Sequence, residues 1–211
     1  MQEIKRARIT KPKSLAPPAN QAVYGVILAD PPWQYSNSGI SGAASKHYPC
    51  MSDTEICALP VAERAATDSL LLLWATWPKL DIALEVIQSW GFRYKTGFPW
   101  IKLRDVPTID LFGNLALYPA PGQGWWIRGV TEALLVAVHG DMQPPAIPPD
   151  GILADEGPNG IISLRFRHSK KPANIYKYAE LFPGPYLELF ARETRPGWDV
   201  WGDEVYSDIE L

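Results

Sequence analysis

Tyr24-Gly25-Val26-Ile27-Leu28-Ala29-Asp30-Pro31-Pro32-Trp33 decides how this chain is read. Six residues form an apolar run, and an acid and two prolines end it. Such a run reads as a buried strand that stops abruptly. Proline fixes its own φ and pushes the residue before it into an extended conformation. Asp30 is therefore expected at the strand's carboxyl end, where open α/β sheets place their ligands. Pro31 and Pro32 have no amide hydrogen, so the turn offers carbonyls and a carboxylate but few donors. A site rich in acceptors suits a substrate that donates, such as an aromatic amino group. Trp33 adds a flat face on which a base can stack.

Downstream, residues 34–52 are rich in Ser, Gly and Asn and read as a loop beside the proposed site, a usual place for a gating segment. Ser52 or Asp53 is placed to cap a helix running to about Leu59, with Glu55 in its first turn. Leu70-Leu-Leu-Leu-Trp-Ala-Thr76 is a second apolar run and a central strand. Pro78 then opens a helix, with Leu80, Ala83, Leu84, Ile87 and Trp90 at helical spacing and Gly91 at its end. A strand from Phe92 to Lys102 completes a crossover unit and implies a parallel sheet.

Residues 104–129 read as a long irregular loop, and long loops in compact domains are usually functional or mobile. Its Gly122-Gln-Gly-Trp-Trp-Ile-Arg-Gly129 is not a dinucleotide fingerprint, because the third glycine is misplaced and a strand pattern follows. Ala133-Leu-Leu-Val-Ala-Val138 should pair antiparallel with the strand ending near Lys102. Residues 140–160, with Pro144, Pro145, Pro148, Pro149 and several glycines, read as a surface loop. Ile161 to Arg167 leads to Lys171-Pro172 and a helix with Ile175, Tyr178, Ala179 and Phe182 on one face. Pro185 to Arg192 reads as the last strong strand.

The chain has 211 residues, 46% apolar and 20% charged, enough for one α/β domain with a substantial core. No apolar run approaches a membrane span, and the charged start lacks the apolar stretch of a secretory signal. Cys50 and Cys57, the only cysteines, lack metal or redox spacing and suit a reducing, cytoplasmic setting. Three scattered histidines make a metal site unexpected. Net charge is −3, but residues 1–13 carry Lys5, Arg6, Arg8, Lys11 and Lys13 against Glu3, which is +4 and leaves −7 for the rest. Residues 1–20 are expected to form a flexible basic arm, contacting phosphates or simply solvated, and 21–211 a single domain.

Asp30-Pro31-Pro32-Trp33 after an apolar strand resembles the catalytic motif of adenine-N(6) methyltransferases that use S-adenosylmethionine. The resemblance is to the family named after the seventy-kilodalton subunit of the mRNA adenosine methyltransferase, which has bacterial and phage members. It runs from about Tyr24 to Glu204 in several dispersed motifs. Tyr48 with Met51-Ser52-Asp53 follows the family's pattern, as do Phe98-Pro-Trp-Ile-Lys102, Glu132 with its apolar strand, Lys171-Pro172 and Glu188-Leu-Phe-Ala-Arg192. Near the end, Trp198 and Gly202-Asp203-Glu204 follow it as well.

That resemblance implies a Rossmann-like methyltransferase fold, a mostly parallel sheet with one antiparallel strand. It also implies a circularly permuted order, with the catalytic motif before the cofactor strand. It implies that Asp30, Pro31, Pro32 and Trp33 are catalytic. The implied cofactor residues are Asp30, Ser169, Lys171, Arg192, Thr194, Gly202, Asp203 and Glu204, with Lys171 pairing with the cofactor's carboxylate. The mRNA enzymes carry His and Asn where this chain has Thr194 and Arg195, which puts those contacts in doubt. The candidate substrate contacts are Tyr48, Trp100, Lys102, Trp125, Trp126 and Arg128. Trp100 stacks on nucleic acid or is a buried strand residue. Tyr48 contacts substrate or is a surface aromatic, and at least one of Trp125 and Trp126 packs under the loop.

The expected activity is methyl transfer to the exocyclic amine of adenine in nucleic acid, DNA ahead of RNA. No metal and no membrane is involved, and a homodimer or partner subunit is possible. A non-catalytic nucleic-acid-binding partner is the competing reading. A methyltransferase acting on a small molecule or a protein amide is a third.

Overall fold

In the computed structural model the described residues are 23–35, 50–103, 108–109, 112–113, 115–116, 118–122, 126–145, 161–164 and 171–211. The expected arm, Tyr48, Trp125 and Ser169 lie outside them. In chain order the elements are β1 (Tyr24–Ala29), α1 (Asp53–Cys57), β2 (Ala65–Ala75), α2 (Leu80–Ser89) and β3 (Arg93–Leu103). There follow β4 (Thr108–Ile109), β5 (Leu115–Ala116), β6 (Thr131–His139) and β7 (Ile161–Leu164), then α3 (Asn174–Ala179), β8 (Tyr186–Leu189) and β9 (Trp198–Trp201).

Seven strands form one sheet in the order β7-β3-β6-β2-β1-β8-β9, and β4 and β5 make a separate ribbon. β1 pairs parallel with β2 and β8, β8 with β9, and β3 with β7. β6 runs antiparallel to both of its neighbours, β2 and β3. The expected mostly parallel sheet with one antiparallel strand is therefore present. β2 and β3 are not adjacent, because β6 lies between them.

All six residues of β1 are buried, as suits a central strand covered on both faces. Alternate residues go to opposite faces. Ile27, Leu71, Leu73, Leu135 and Leu187 share one core with Ala83, Val86 and Ile87 of α2. Val26, Leu28, Leu70, Leu72, Trp74, Trp100, Leu134 and Val136 share the other with Ile175 and Ala179 of α3. α1 starts at Ser52 through a capping box: the Ser52 hydroxyl accepts from the Glu55 amide, and the Glu55 carboxylate accepts from the Ser52 amide at 2.8 Å.

Four element readings change. β2 begins at Ala65, before the apolar run, because its first four residues are not buried and carry no hydrophobic signal. The strand expected over Pro185 to Arg192 ends at Leu189, since Phe190 takes φ 62° and turns the chain out of the sheet. β9 follows it as a further strand, too short to announce itself by alternation. The loop over 104–129 contains the β4–β5 ribbon. Among the described residues no helix is long and apolar enough to cross a membrane.

Candidate active site

The strand period places the charged residues. Val26 and Leu28 face the α3 core, so Asp30 continues on that side. Trp100 faces the same core and Lys102 follows at the same parity; Leu134 does too, which puts Glu132 there. Because β6 is antiparallel, its first residues lie at the carboxyl ends of β2 and β3: Trp100 is opposite Glu132. Lys171 arrives from the segment leading to α3. Four charges from four chain segments thus meet at one end of one sheet face.

They form an alternating chain. Lys171 Nζ lies 2.9 Å from Asp30 Oδ1 and 3.3 Å from Glu132 Oε2. The other Glu132 oxygen, Oε1, accepts from Lys102 Nζ. Lys171 stands 5.7 Å over the Trp74 ring and Lys102 4.9 Å over the Trp100 ring. The Asp30, Lys171 and Glu132 side chains are 24%, 15% and 10% exposed, so Asp30 is the most open of the three. Burial alone would push the Glu132 carboxyl up, but the ammonium groups of Lys171 and Lys102 outweigh it and hold it below the usual carboxylate range. Burial would likewise depress Lys171, but Asp30 and then Glu132 hold it above the ordinary lysine range.

The turn after β1 is fixed by its own hydrogen bonds. The Trp33 amide donates to the Pro31 carbonyl at 2.8 Å, a three-residue turn centred on Pro32. The Met51 amide donates to the Pro32 carbonyl at 3.0 Å. A carbonyl has two lone pairs, so the Pro31 oxygen keeps one. Trp33 is 5% exposed, and its indole N–H donates to the Trp74 carbonyl at 3.2 Å. Its ring locks the turn into the core and is not an open face for a base, which corrects the stacking role expected of it.

A cleft opens beside this turn. It is lined by Asp30, Pro32, Met51, Phe190, Ala191, Arg192, Trp201, Gly202, Asp203 and Glu204. It lies where β1, β8 and β9 end, the edge expected from the sequence. Phe190 meets Trp201 edge to face at 5.3 Å. A Cβ on Gly202 would fall 2.3 Å from the Ala191 carbonyl oxygen, so the backbones approach this closely only with glycine. Arg192 Nε lies 3.7 Å from Glu204 Oε1.

Of the expected cofactor residues, Asp30, Arg192, Gly202, Asp203 and Glu204 share this cleft. Lys171 reaches it only through its pairing with Asp30. Thr194 is exposed and does not line it. The Arg195 guanidinium lies 3.6 Å over the Tyr176 ring, on the α3 side. Among the substrate candidates Trp100 is 1% exposed, edge to face with Trp74 at 5.8 Å, so it is a core residue and not a stacking platform. Lys102, expected as a substrate contact, is instead engaged by Glu132. Trp126 is 99% exposed and Arg128 is also exposed, which leaves both open to solvent.

Two acids stand outside the expected set. One is Glu132. Its signal was present: a carboxylate heading an otherwise apolar buried strand needs a partner. The other is Glu188 on β8, which accepts from the Tyr176 hydroxyl at 2.8 Å. Burial pushes its carboxyl up to about 7, against the lowering effects of Tyr176 and Arg195. Among the described residues no group of three or more His, Cys, Asp or Glu could hold a metal ion.

A model of the family described as MT-A70 matches residues 24–204. The chain belongs to the MT-A70 family. Among the relatives of this family member, the type II methyltransferase M.MunI of a Mycoplasma species is 29% identical, over 95% of this chain and 86% of that protein. The human N(6)-adenine-specific methyltransferase METTL4 is 29% identical over 86% of this chain and 37% of its own length. The catalytic subunit METTL3 of the human N(6)-adenosine-methyltransferase is 27% identical over 86% of this chain and 28% of its own length. The chain therefore spans most of the first relative and well under half of the two human ones.

Proposed function

We propose that this MT-A70 adenine N(6)-methyltransferase acts on DNA, with S-adenosylmethionine as donor and Asp30 as the group that grips the adenine amine. The observation that carries this reading is the position of Asp30. It lines one cleft with Arg192, Gly202, Asp203 and Glu204 while pairing at 2.9 Å with Lys171.

The residues fit the donor by their chemistry. An ammonium beside a carboxylate complements an amino-acid zwitterion, so Lys171 would hold the carboxylate of the methionine part and one Asp30 oxygen its ammonium, which leaves the second Asp30 oxygen for the adenine amine. Asp203 and Glu204 offer acceptors to ribose hydroxyls. Bound there, S-adenosylmethionine supplies an electrophilic methyl group on a positively charged sulfur.

The chain's own residues then do three things. The Asp30 carboxylate and the free lone pair of the Pro31 carbonyl accept the two hydrogens of the adenine amine. That geometry withdraws the nitrogen's lone pair from the ring and aims it out of the plane. Asp30 also stabilises the positive charge that develops on the nitrogen. It need not be a strong base, because the amine proton becomes acidic only once that charge is present. Trp33, anchored on Trp74, holds the turn in place, and fixed alignment of this kind can supply several kcal/mol of the barrier reduction.

The exposed Trp126 and Arg128 are candidates for base stacking and backbone contact, as in single-strand binders. In duplex DNA the target base must first leave the stack. The same reading takes 21–211 as one domain and the basic residues of 1–20 as phosphate contacts. It takes β8 as the cofactor strand of a circularly permuted order. Mass spectrometry of nucleosides from DNA and RNA incubated with the protein and isotopically labelled donor tests it. Label in N(6)-methyldeoxyadenosine is expected; label confined to RNA, or in neither, overturns it.

A non-catalytic nucleic-acid-binding role is favoured by one observation. Thr194 and Arg195, where the mRNA enzymes carry His and Asn, do not line the cleft. Calorimetry with S-adenosylmethionine separates the two readings, since a degenerate partner does not bind the donor.

A further inference from the structure

We propose that Glu132 is a positioning residue for methyl transfer: it holds the Lys171 ammonium between two carboxylates and so keeps Asp30 open to the adenine amine. This rests on the reading of Asp30 and Lys171 given above.

Lys171 is a long side chain on an irregular segment, and holding it in one place costs rotamer entropy. Two carboxylates offset that cost. The ammonium has three donors; one is directed at Asp30 Oδ1, 2.9 Å away, and one at Glu132 Oε2, 3.3 Å away. Glu132 is itself anchored, since its other oxygen accepts from Lys102 and it sits on a strand paired on both sides. Lys102, Glu132, Lys171 and Asp30 therefore alternate in sign and sum to zero charge.

Removing the Glu132 charge leaves two ammonium groups and one carboxylate. Of its two protein partners Lys171 then keeps only Asp30. An Asp30 held wholly by an ammonium is a weaker acceptor for N–H hydrogens, and less able to stabilise positive charge on the amine. Lys171 meanwhile keeps its capacity to bind a carboxylate. Glu132 acts through Lys171, and Lys102 acts only through Glu132.

The test uses Glu132→Gln, which keeps the shape and removes the charge, in the full chain with S-adenosylmethionine and unmethylated genomic DNA. The expected result is a kcat at least tenfold lower with donor affinity within threefold of the parent. Glu132→Asp restores the charge and recovers part of the loss. Lys102→Met lowers kcat in the parent and has no further effect beside Glu132→Gln. A kcat within twofold in Glu132→Gln, a matching loss of donor affinity, or multiplying effects of the two substitutions overturns the proposal. If Glu132→Gln does not fold, Lys102→Met/Glu132→Gln removes one charge of each sign and carries the same kcat and affinity criteria. Asp30→Ala run alongside separates the two levels. Full activity in Asp30→Ala sinks the underlying reading, whereas an inactive Asp30→Ala beside a fully active Glu132→Gln sinks this inference alone.

Discussion

Glu132 and Glu188 are two glutamates on the same face of one sheet, and their environments set them apart. Glu132 is buried at the head of β6 between two lysines, which hold its carboxyl low. Glu188 is largely buried on β8 beside a tyrosine hydroxyl, with a guanidinium over that tyrosine's ring, and burial pushes its carboxyl up to about 7. Partners, not burial, decide which acid is charged at neutral pH. This end of the sheet thus has one acid fixed as an anion beside the lysine and one that titrates.

Removing a lysine from the Glu132 side should break this contrast most severely. In Lys171→Met the buried carboxylate keeps only Lys102, and taking away one partner of a buried ion pair typically costs about 3–5 kcal/mol. Denaturant unfolding should register a loss of that order, and calorimetry a donor affinity at least tenfold weaker. Unchanged affinity would reject the assignment of Lys171 to the donor's carboxylate.

Glu188 sharpens the contrast through pH. Its folded value lies above the ordinary 4.5, so between the two the folded chain holds a proton that the unfolded chain has released. Its contribution is therefore complete below pH 4.5, declines as pH rises, and is gone above about 7. Thermal unfolding of Glu188→Gln against the parent should show the difference changing across that window in favour of the variant at high pH. A constant difference from pH 4.5 to 8 would contradict the assigned environment.

The smallest effect is expected from Tyr176→Phe. It deletes a hydroxyl that donates to Glu188 at 2.8 Å, worth about 1 kcal/mol. It should also move the Glu188 transition to higher pH, because that hydrogen bond favours the charged form. A transition moved to lower pH would invert the account of this contact.

Much of this was legible in the residues. β1 and the proline turn followed directly, because a fully apolar run broken by two prolines leaves little else. The Ser52 cap was legible because capping is local chemistry. The cleft wall, Arg192 with Gly202, Asp203 and Glu204, was named only through a family resemblance. No local rule joins residues ten apart across a strand end. What stayed hidden depends on partners distant in the chain. Trp33 read as a stacking face and Trp100 as either a stacking face or a buried strand residue, because an indole's burial is decided by the strand beside it: Trp74 receives one and packs against the other. Lys102 read as a substrate contact because Glu132 lies across a loop and on a neighbouring strand. The end of β8 was misplaced because a positive φ at a phenylalanine leaves no mark in the sequence.

The central claim is that the Asp30 carboxylate and the Pro31 carbonyl hold the adenine amine for transfer. Its most direct test is Asp30→Ala, with methyl transfer followed by labelled donor and donor binding by calorimetry on the same preparation. Methyl transfer should be abolished while donor binding survives at least in part. Transfer at near the parent rate would contradict it.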